Sequence, residues 1–300
     1  MADKALKKNN IKKVALIFEG GGMRCAFSSG IANSLVENNL FFDYIAGISA
    51  GTSTLVNYMT RDPKRTKDSF VGIVDDPQFA GWSYFIKGKG FFNAEYVYEH
   101  TAYPGGSLPL NYEDFSSNPA FYRIVAYDVK TGKAKNFSRD DVSSLSDLTK
   151  IVRASSSLPI VMPYTKIDDK VYYDGGLTGG IPIDIAIEDG FDKFFIVRTQ
   201  ERGYRKPQVK HPKMTRTYFK KFPNVAEAII ARPDIYNKQC DMVEKLEEEG
   251  KAYVVYPDIM PIKNRELDRE KLEAIYEMAL DMGKRDIDKW KNFLSDYVED

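Results

Sequence analysis

Gly47-Ile48-Ser49-Ala50-Gly51 sets a serine between two glycines, with an expected buried strand, Asp43 to Ile48, directly before it. In this Gly-x-Ser-x-Gly arrangement a sharp strand-to-helix turn lifts a serine hydroxyl clear of a sheet. Gly47 and Gly51 relieve crowding around the turn, and the helix expected from Thr52 to Thr60 would aim its N-terminal amides at developing negative charge. A glycine-rich turn capped by a serine reads the same over five residues. The strand before and the helix after are what favour Ser49 as a nucleophile.

Such a serine needs a base, usually histidine. The chain has two histidines. His100 follows Tyr96-Val97-Tyr98-Glu99 in an irregular stretch, and His211 precedes a proline in a basic one; neither stands just after a strand. Asp174-Gly175-Gly176 does, behind Val171-Tyr172-Tyr173. A solvated carboxylate, with an ordinary pKa of about 3.9, is a weak base. Burial and direct contact with the hydroxyl improve it. Alone, Asp174 reads as a turn aspartate; with Ser49 it completes a two-residue acyl-transfer apparatus.

Gly20-Gly21-Gly22-Met23-Arg24 lies between the first expected strand and its helix. Successive glycines bring backbone amides close to whatever sits above the sheet, which suits an oxyanion hole, where one donor is worth roughly 10²–10³ in rate. The rival reading, a dinucleotide loop, needs a further glycine and an acidic residue ending the second strand. Cys25 stands in place of the first and Ser49 in place of the second. Arg24 reads equally as a ligand for a substrate phosphate or carboxylate and as one half of a helix-surface ion pair.

The surrounding pattern supplies the elements. Strands are expected over 13–18, 43–48, 121–127, 134–137, 164–167, 171–173, 194–198 and 252–256. Helices are expected over 23–38, 52–60, 146–156, 182–188, 224–232, 234–249 and from 268 onward, with Ser144 or Ser146 capping the third. Two consecutive strand–turn–helix units imply a mostly parallel sheet flanked by helices, an α/β fold. Residues 61–118 read as an irregular insertion over the sheet edge. The aromatic segment 79–92 within it reads as a flap that lines an acyl pocket or dips into a lipid interface, or else as core packing. No linker divides residues 1–300, so they read as a single domain, with the motifs in about 12–200 and a C-terminal helical extension over about 200–300.

The order of these motifs resembles the patatin-like phospholipase family, bacterial type. A glycine loop with arginine comes first, then Gly-x-Ser-x-Gly, then Asp-Gly-Gly. Arg153-Ala154-Ser155-Ser156-Ser157-Leu158-Pro159 and the run from Leu177 through Pro182 to Ala186 extend the likeness over about 12–200. The resemblance implies a three-layer sandwich, a Ser49–Asp174 dyad, oxyanion amides from Gly20, Gly21, Gly22, Met23 and Arg24, support from Gly47, Gly51, Gly175 and Gly176, acyl-ester substrates, and neither metal nor other cofactor. Glu19 stands where the family loop starts with aspartate. Cys25 replaces a glycine, which a helical backbone would accommodate. The expected function is a serine acyl hydrolase acting on lipid carboxylic esters; the alternative is a lipid-binding or regulatory protein of the same fold with negligible turnover.

Bulk composition agrees. Lys plus Arg equals Asp plus Glu, at 43 each, which gives no support for a nucleic-acid partner. Cys25 and Cys240 form no metal-ligand spacing and read as free thiols. The first ten residues lack the apolar core expected of a signal peptide, and no apolar run reaches roughly 18 residues. The expectation is a cytoplasmic protein, peripheral to membranes at most, with a lipid or small acyl ester as its partner; the sequence carries no signal for an oligomeric state.

Overall fold

Strand β1 (Ile11–Phe18) is buried almost throughout, which places it at the centre of a sheet covered on both sides. The computed structural model describes residues 7–299; residues 1–6 and 300 lie outside it. The remaining strands are β2 (Phe42–Ile48), β3 (Phe121–Asp128), β4 (Lys133–Phe137), β5 (Thr165–Ile167), β6 (Lys170–Asp174), β7 (Phe194–Val197) and β8 (Ala252–Val255). They form one mixed sheet in the order β5-β6-β3-β2-β1-β7-β8, with β4 on β3. Strands β1, β2, β3, β7 and β8 run parallel; β4, β5 and β6 join antiparallel.

Alternation along β1 divides the core. Val14, Leu16 and Phe18 face α1 (Cys25–Glu37), α2 (Ala50–Thr60) and the C-terminal helix, with Leu35, Leu55 and Trp290. Ala15 and Ile17 face the opposite layer, with Tyr236, Cys240 and Val243. The result is a three-layer α/β sandwich, as expected.

The insertion contributes short helices α3 (Pro63–Asp68), α4 (Trp82–Ile86) and α5 (Tyr112–Ser116). Beyond it come α6 (Leu145–Ser156), capped by Ser144 whose side chain accepts from the Asp147 amide, and α7 (Ile183–Glu188). The basic stretch holds α8 (Pro212–Tyr218), and the chain ends in α9 (Pro223–Glu248) and α10 (Arg269–Leu294). Helix α9 corrects one expectation: the two helices over 224–232 and 234–249 are a single helix that runs through Pro233. An interior proline costs about 3 kcal/mol. Here it is buried, and Val225, Ala226, Tyr236, Cys240 and Val243 hold both halves against the body of the protein.

The register of β3 does most to position the site. Ile124 is paired with Gly47 of β2 and with Phe137 of β4; Ala126 is paired with Asp174 of β6 and with Lys135 of β4. Strands β2 and β6 therefore share one edge of β3 and meet there end to end. Ile48 stands opposite Val125 and Asp174 opposite Ala126, so Ser49 leaves the sheet where β6 ends.

Candidate active site

Ser49 follows the last residue of β2 and precedes the first of α2, with φ 55° and ψ −134°. A non-glycine residue there carries about 1–3 kcal/mol of strain, which the surrounding structure must hold. Ser155, near the end of α6, is one of the groups that hold it. Its hydroxyl accepts from the Ser49 amide at 2.9 Å and donates to Val125 O at 2.6 Å. With its proton committed to Val125, Ser155 must accept from Thr52 Oγ1, 2.9 Å away. Gly51 permits the turn for a reason different from relief of the serine: a Cβ there would come within 2.5 Å of Phe18 O and 2.7 Å of Glu19 O. The start of α2 is pressed against the end of β1.

Ser49 Oγ donates to Asp174 Oδ2 at 2.7 Å. The other carboxylate oxygen accepts from the Gly176 amide at 2.6 Å, and the Asp174 amide donates to Ser157 O at 2.9 Å. The Arg153–Pro159 segment thus braces both residues, one through a side chain and the other through a carbonyl. Asp174 is only 2% exposed. Burial pushes its carboxyl above the usual carboxylate range, against the opposing pull of the Arg232 charge, the Ser49 hydroxyl and the Gly176 amide.

The glycine loop faces the same cavity. Gly22, at φ 58°, leaves no room for a side chain, because a Cβ would lie 2.3 Å from Asn264 O. The Gly20 amide donates to Gly180 O at 3.0 Å, the Met23 amide to Asn264 O at 3.1 Å and the Arg24 amide to Gly21 O at 3.4 Å. Among the described residues the Gly21 and Gly22 amides have no such acceptor. Cys25 opens α1 with φ −69°, a helical backbone that accepts its buried side chain. Cys25 and Cys240 are both unpaired and buried.

Glu19 anchors the loop from beneath. It is buried and accepts from Arg198 Nε at 2.8 Å, from the Thr199 amide at 2.7 Å and from the Tyr236 hydroxyl. Burial alone would raise its carboxyl; Arg198 and these donors reverse that and hold it low. Removing one member of a buried pair costs about 3–5 kcal/mol. Glu19→Gln is therefore expected to lower the unfolding free energy by about that much, read from urea denaturation.

The cavity has a volume of about 290 Å³. Ser49, Asp174 and the glycine loop form one wall; Val56, Phe70, Ile73, Leu148, Val152 and Met162 are among the apolar residues of the rest. The insertion supplies much of this lining. Phe79 and Phe92 are buried and reach the cavity, whereas Trp82 is 66% and Ile86 83% exposed between them. The segment 79–92 thus lines the pocket with its ends and presents apolar side chains outward from its middle. His100 sits in a π-helical turn with an exposed side chain 3.9 Å from Glu95, and His211 is exposed at the start of α8. Neither borders the cavity. Among the described residues no cluster of three His, Cys, Asp or Glu could hold a metal ion, and no helix is long and apolar enough to cross a membrane.

Five cationic side chains border the cavity as well: Arg24, Arg65, Lys206, Arg232 and Arg265, of which Arg65 is occupied by Asn57 and Leu108 O. The sequence singled out Arg24 alone. Among the described residues Arg24 has no ion pair, and its buried Nε has no hydrogen-bond partner, so the helix-surface ion pair is not formed. Ser155, Lys206 and Arg232 were not picked out by function: Ser155 sat within a recognisable segment without a role, and the two cations lie beyond the motifs.

A family model described as patatin-like phospholipase matches residues 16–187, and one for a domain of unknown function matches residues 222–295. The uncharacterized protein YjjU of Escherichia coli (strain K12) is 25% identical over 203 residues, which are 65% of this chain and 55% of that protein. The chain thus spans about half the length of this curated relative. The crystal structure of VipD from Legionella pneumophila aligns over 97% of this chain and 67% of that one, at 11% identity and a TM-score of 0.48.

Proposed function

The chain belongs to the patatin-like phospholipase family, whose model covers more than half of it, and on that premise we propose that it hydrolyses carboxylic esters of lipids through Ser49 and Asp174. The observation that carries this reading is the 2.7 Å hydrogen bond from the Ser49 hydroxyl to a buried carboxylate at the wall of a cavity that is apolar in part.

Asp174 takes the hydroxyl proton as Oγ attacks the ester carbonyl. The oxyanion is held by the amides of Gly21 and Gly22, with the start of α2 adding its partial positive charge. Collapse of the tetrahedral species expels the alcohol, which takes the proton back from Asp174. Water then gives its proton to Asp174 and attacks the acyl-serine; release of the fatty acid returns that proton to Oγ. Raised basicity suits Asp174 to this role, since a carboxylate in its ordinary range takes up a proton less readily.

The direct test is to incubate the protein with short-chain nitrophenyl esters and with phospholipid vesicles, following nitrophenol and free fatty acid. Turnover of both is expected; vesicle binding that proceeds without turnover of any ester would overturn the reading in favour of a lipid-binding protein.

Peripheral membrane contact belongs to the same proposal. Trp82, Phe85 and Ile86 are exposed on α4, followed by Lys87 and Lys89, and the ends of the segment line the cavity. Apolar and aromatic side chains beside lysines suit a lipid interface. The double substitution Trp82→Ser, Ile86→Ser is expected to lower vesicle hydrolysis about tenfold or more, while turnover of a soluble ester is retained. Equal vesicle rates in the two proteins would contradict the contact.

A further inference from the structure

Arginines elsewhere along residues 198–285 are paired. Arg198 meets Glu19, Arg202 meets Glu247, Arg205 meets Asp241 and Glu244, and Arg216 meets Glu227. The cations that border the catalytic cavity are not. Among the described residues, Arg24, Lys206 and Arg232 form no ion pair by direct contact. Arg232 makes one long hydrogen bond, from Nε to Gly179 O at 3.4 Å. The Lys206 ammonium rests 4.3 Å above the Tyr236 ring, and its backbone is pinned to α9 by two hydrogen bonds with Asn237.

The carboxylates on the same wall act on two of them through space, Asp174 on Arg232 and Glu19 on Lys206, but spend their oxygens on other partners. Glu19 is engaged by Arg198, Thr199 and Tyr236, and Asp174 by Ser49 and Gly176. Arg24, Lys206 and Arg232 sit close enough to repel one another: both arginines act on Lys206, and Arg24 acts on Arg232. Burial, then the Arg232 charge, bring the Lys206 ammonium down to about 7. Like charges gathered in a partly desolvated pocket are unfavourable unless an anion joins them.

We propose that Arg24, Lys206 and Arg232 form a binding site for a phosphate anion inside the catalytic cavity, so that the preferred esters are those of an anionic phospholipid whose headgroup phosphate sits among these cations while its acyl chain enters the apolar part. This rests on the hydrolase reading for the ester and extends it to the headgroup. Two of the three cations come from residues beyond the family match, which ends at 187. The C-terminal third therefore contributes substrate selection as well as scaffold. The guanidiniums and ammonium supply complementary recognition, planar donors from the arginines and a compact charge from the lysine.

The test compares dihexanoyl phosphatidylglycerol with dihexanoylglycerol, which has the same acyl chains and no phosphate, using the full chain. Lys206→Gln is expected to lower kcat/KM for the phospholipid at least tenfold relative to the neutral ester, mostly through KM, and Lys206→Arg to restore it. An equal change on both substrates, or no change on either, overturns the proposal. Calorimetric titration of the Ser49→Ala protein reads binding apart from turnover. Saturable binding of phosphatidylglycerol that weakens tenfold in Ser49→Ala, Lys206→Gln supports the site; binding of neither phosphatidylglycerol nor inorganic phosphate overturns it. Tighter binding of the lipid identifies the headgroup as the source of the anion, and equal affinity for inorganic phosphate identifies free phosphate and overturns the phospholipid preference. Anion binding by a protein whose parent hydrolyses neither ester would remove the hydrolase reading and leave the site standing.

Discussion

Ser49→Ala is expected to reduce ester turnover by about 10⁴-fold or more, the scale seen when the nucleophile of a serine hydrolase is removed. The fold should survive, because the substitution keeps a Cβ in the same turn and leaves the Ser49 amide with its Ser155 acceptor. It does not relieve the backbone, since alanine at φ 55° is as strained as serine. It also takes the hydroxyl donor from the buried Asp174 carboxylate, pushing that carboxyl further up. Ser49→Gly differs in a telling way. It loses turnover equally, but glycine accepts positive φ, so its melting temperature should exceed that of Ser49→Ala. Kinetics with a soluble ester and thermal melts of the two variants check both statements.

Asp174→Asn is expected to cost about 10³–10⁴ in kcat. The amide can keep the acceptor for Gly176, but it cannot take the serine proton. The same substitution should stabilise the protein at neutral pH. The folded carboxyl titrates above its unfolded value, so its favourable contribution is full below the unfolded pKa and disappears as pH rises through the folded one. Above that range the buried charge is a burden that asparagine lacks. The melting temperature of Asp174→Asn should therefore exceed that of the wild type at pH 7, with the gap closing in acid. The wild-type rate should follow the same group: Asp174 must be ionised to act as base, so kcat/KM should rise with pH along a limb lying above the ordinary carboxylate range. A limb in the ordinary range, or a turnover in Asp174→Asn near wild type, would contradict the assignment.

How much of this could be read from residues alone depends on how local each cause was. Ser49 stands between a buried strand and a helix within a dozen residues, so both its turn and its neighbours are written nearby. Asp174 was found because an acidic residue and two glycines follow a short strand. Its contact with Ser49 depends on the β3 register, where Ile48 and Asp174 abut through Val125 and Ala126, 77 and 48 residues away from them. The local motif explains Gly51 by crowding at the serine, whereas the carbonyls that exclude a side chain there belong to Phe18 and Glu19, more than thirty residues earlier. Two helices are expected over 224–232 and 234–249, whereas burial along α9 carries one helix through Pro233. The insertion over 61–118 was hardest, since short helices and turns leave no periodicity. Yet it supplies Phe70, Ile73, Phe79 and Phe92 to the cavity. Lys206 and Arg232 had no signal at all; isolated basic residues in a polar stretch and on a helix become informative only when the fold brings them to Ser49.

The central claim, that Ser49 is the nucleophile, is tested most directly by covalent labelling. A fluorophosphonate probe phosphonylates an activated serine hydroxyl and displaces its fluoride, and peptide mass analysis locates the adduct. A single adduct on the peptide containing Ser49, lost in Ser49→Ala and in Asp174→Asn but retained in a His100→Ala protein, is the predicted result. An adduct on a different serine, or none while ester hydrolysis continues, would contradict it.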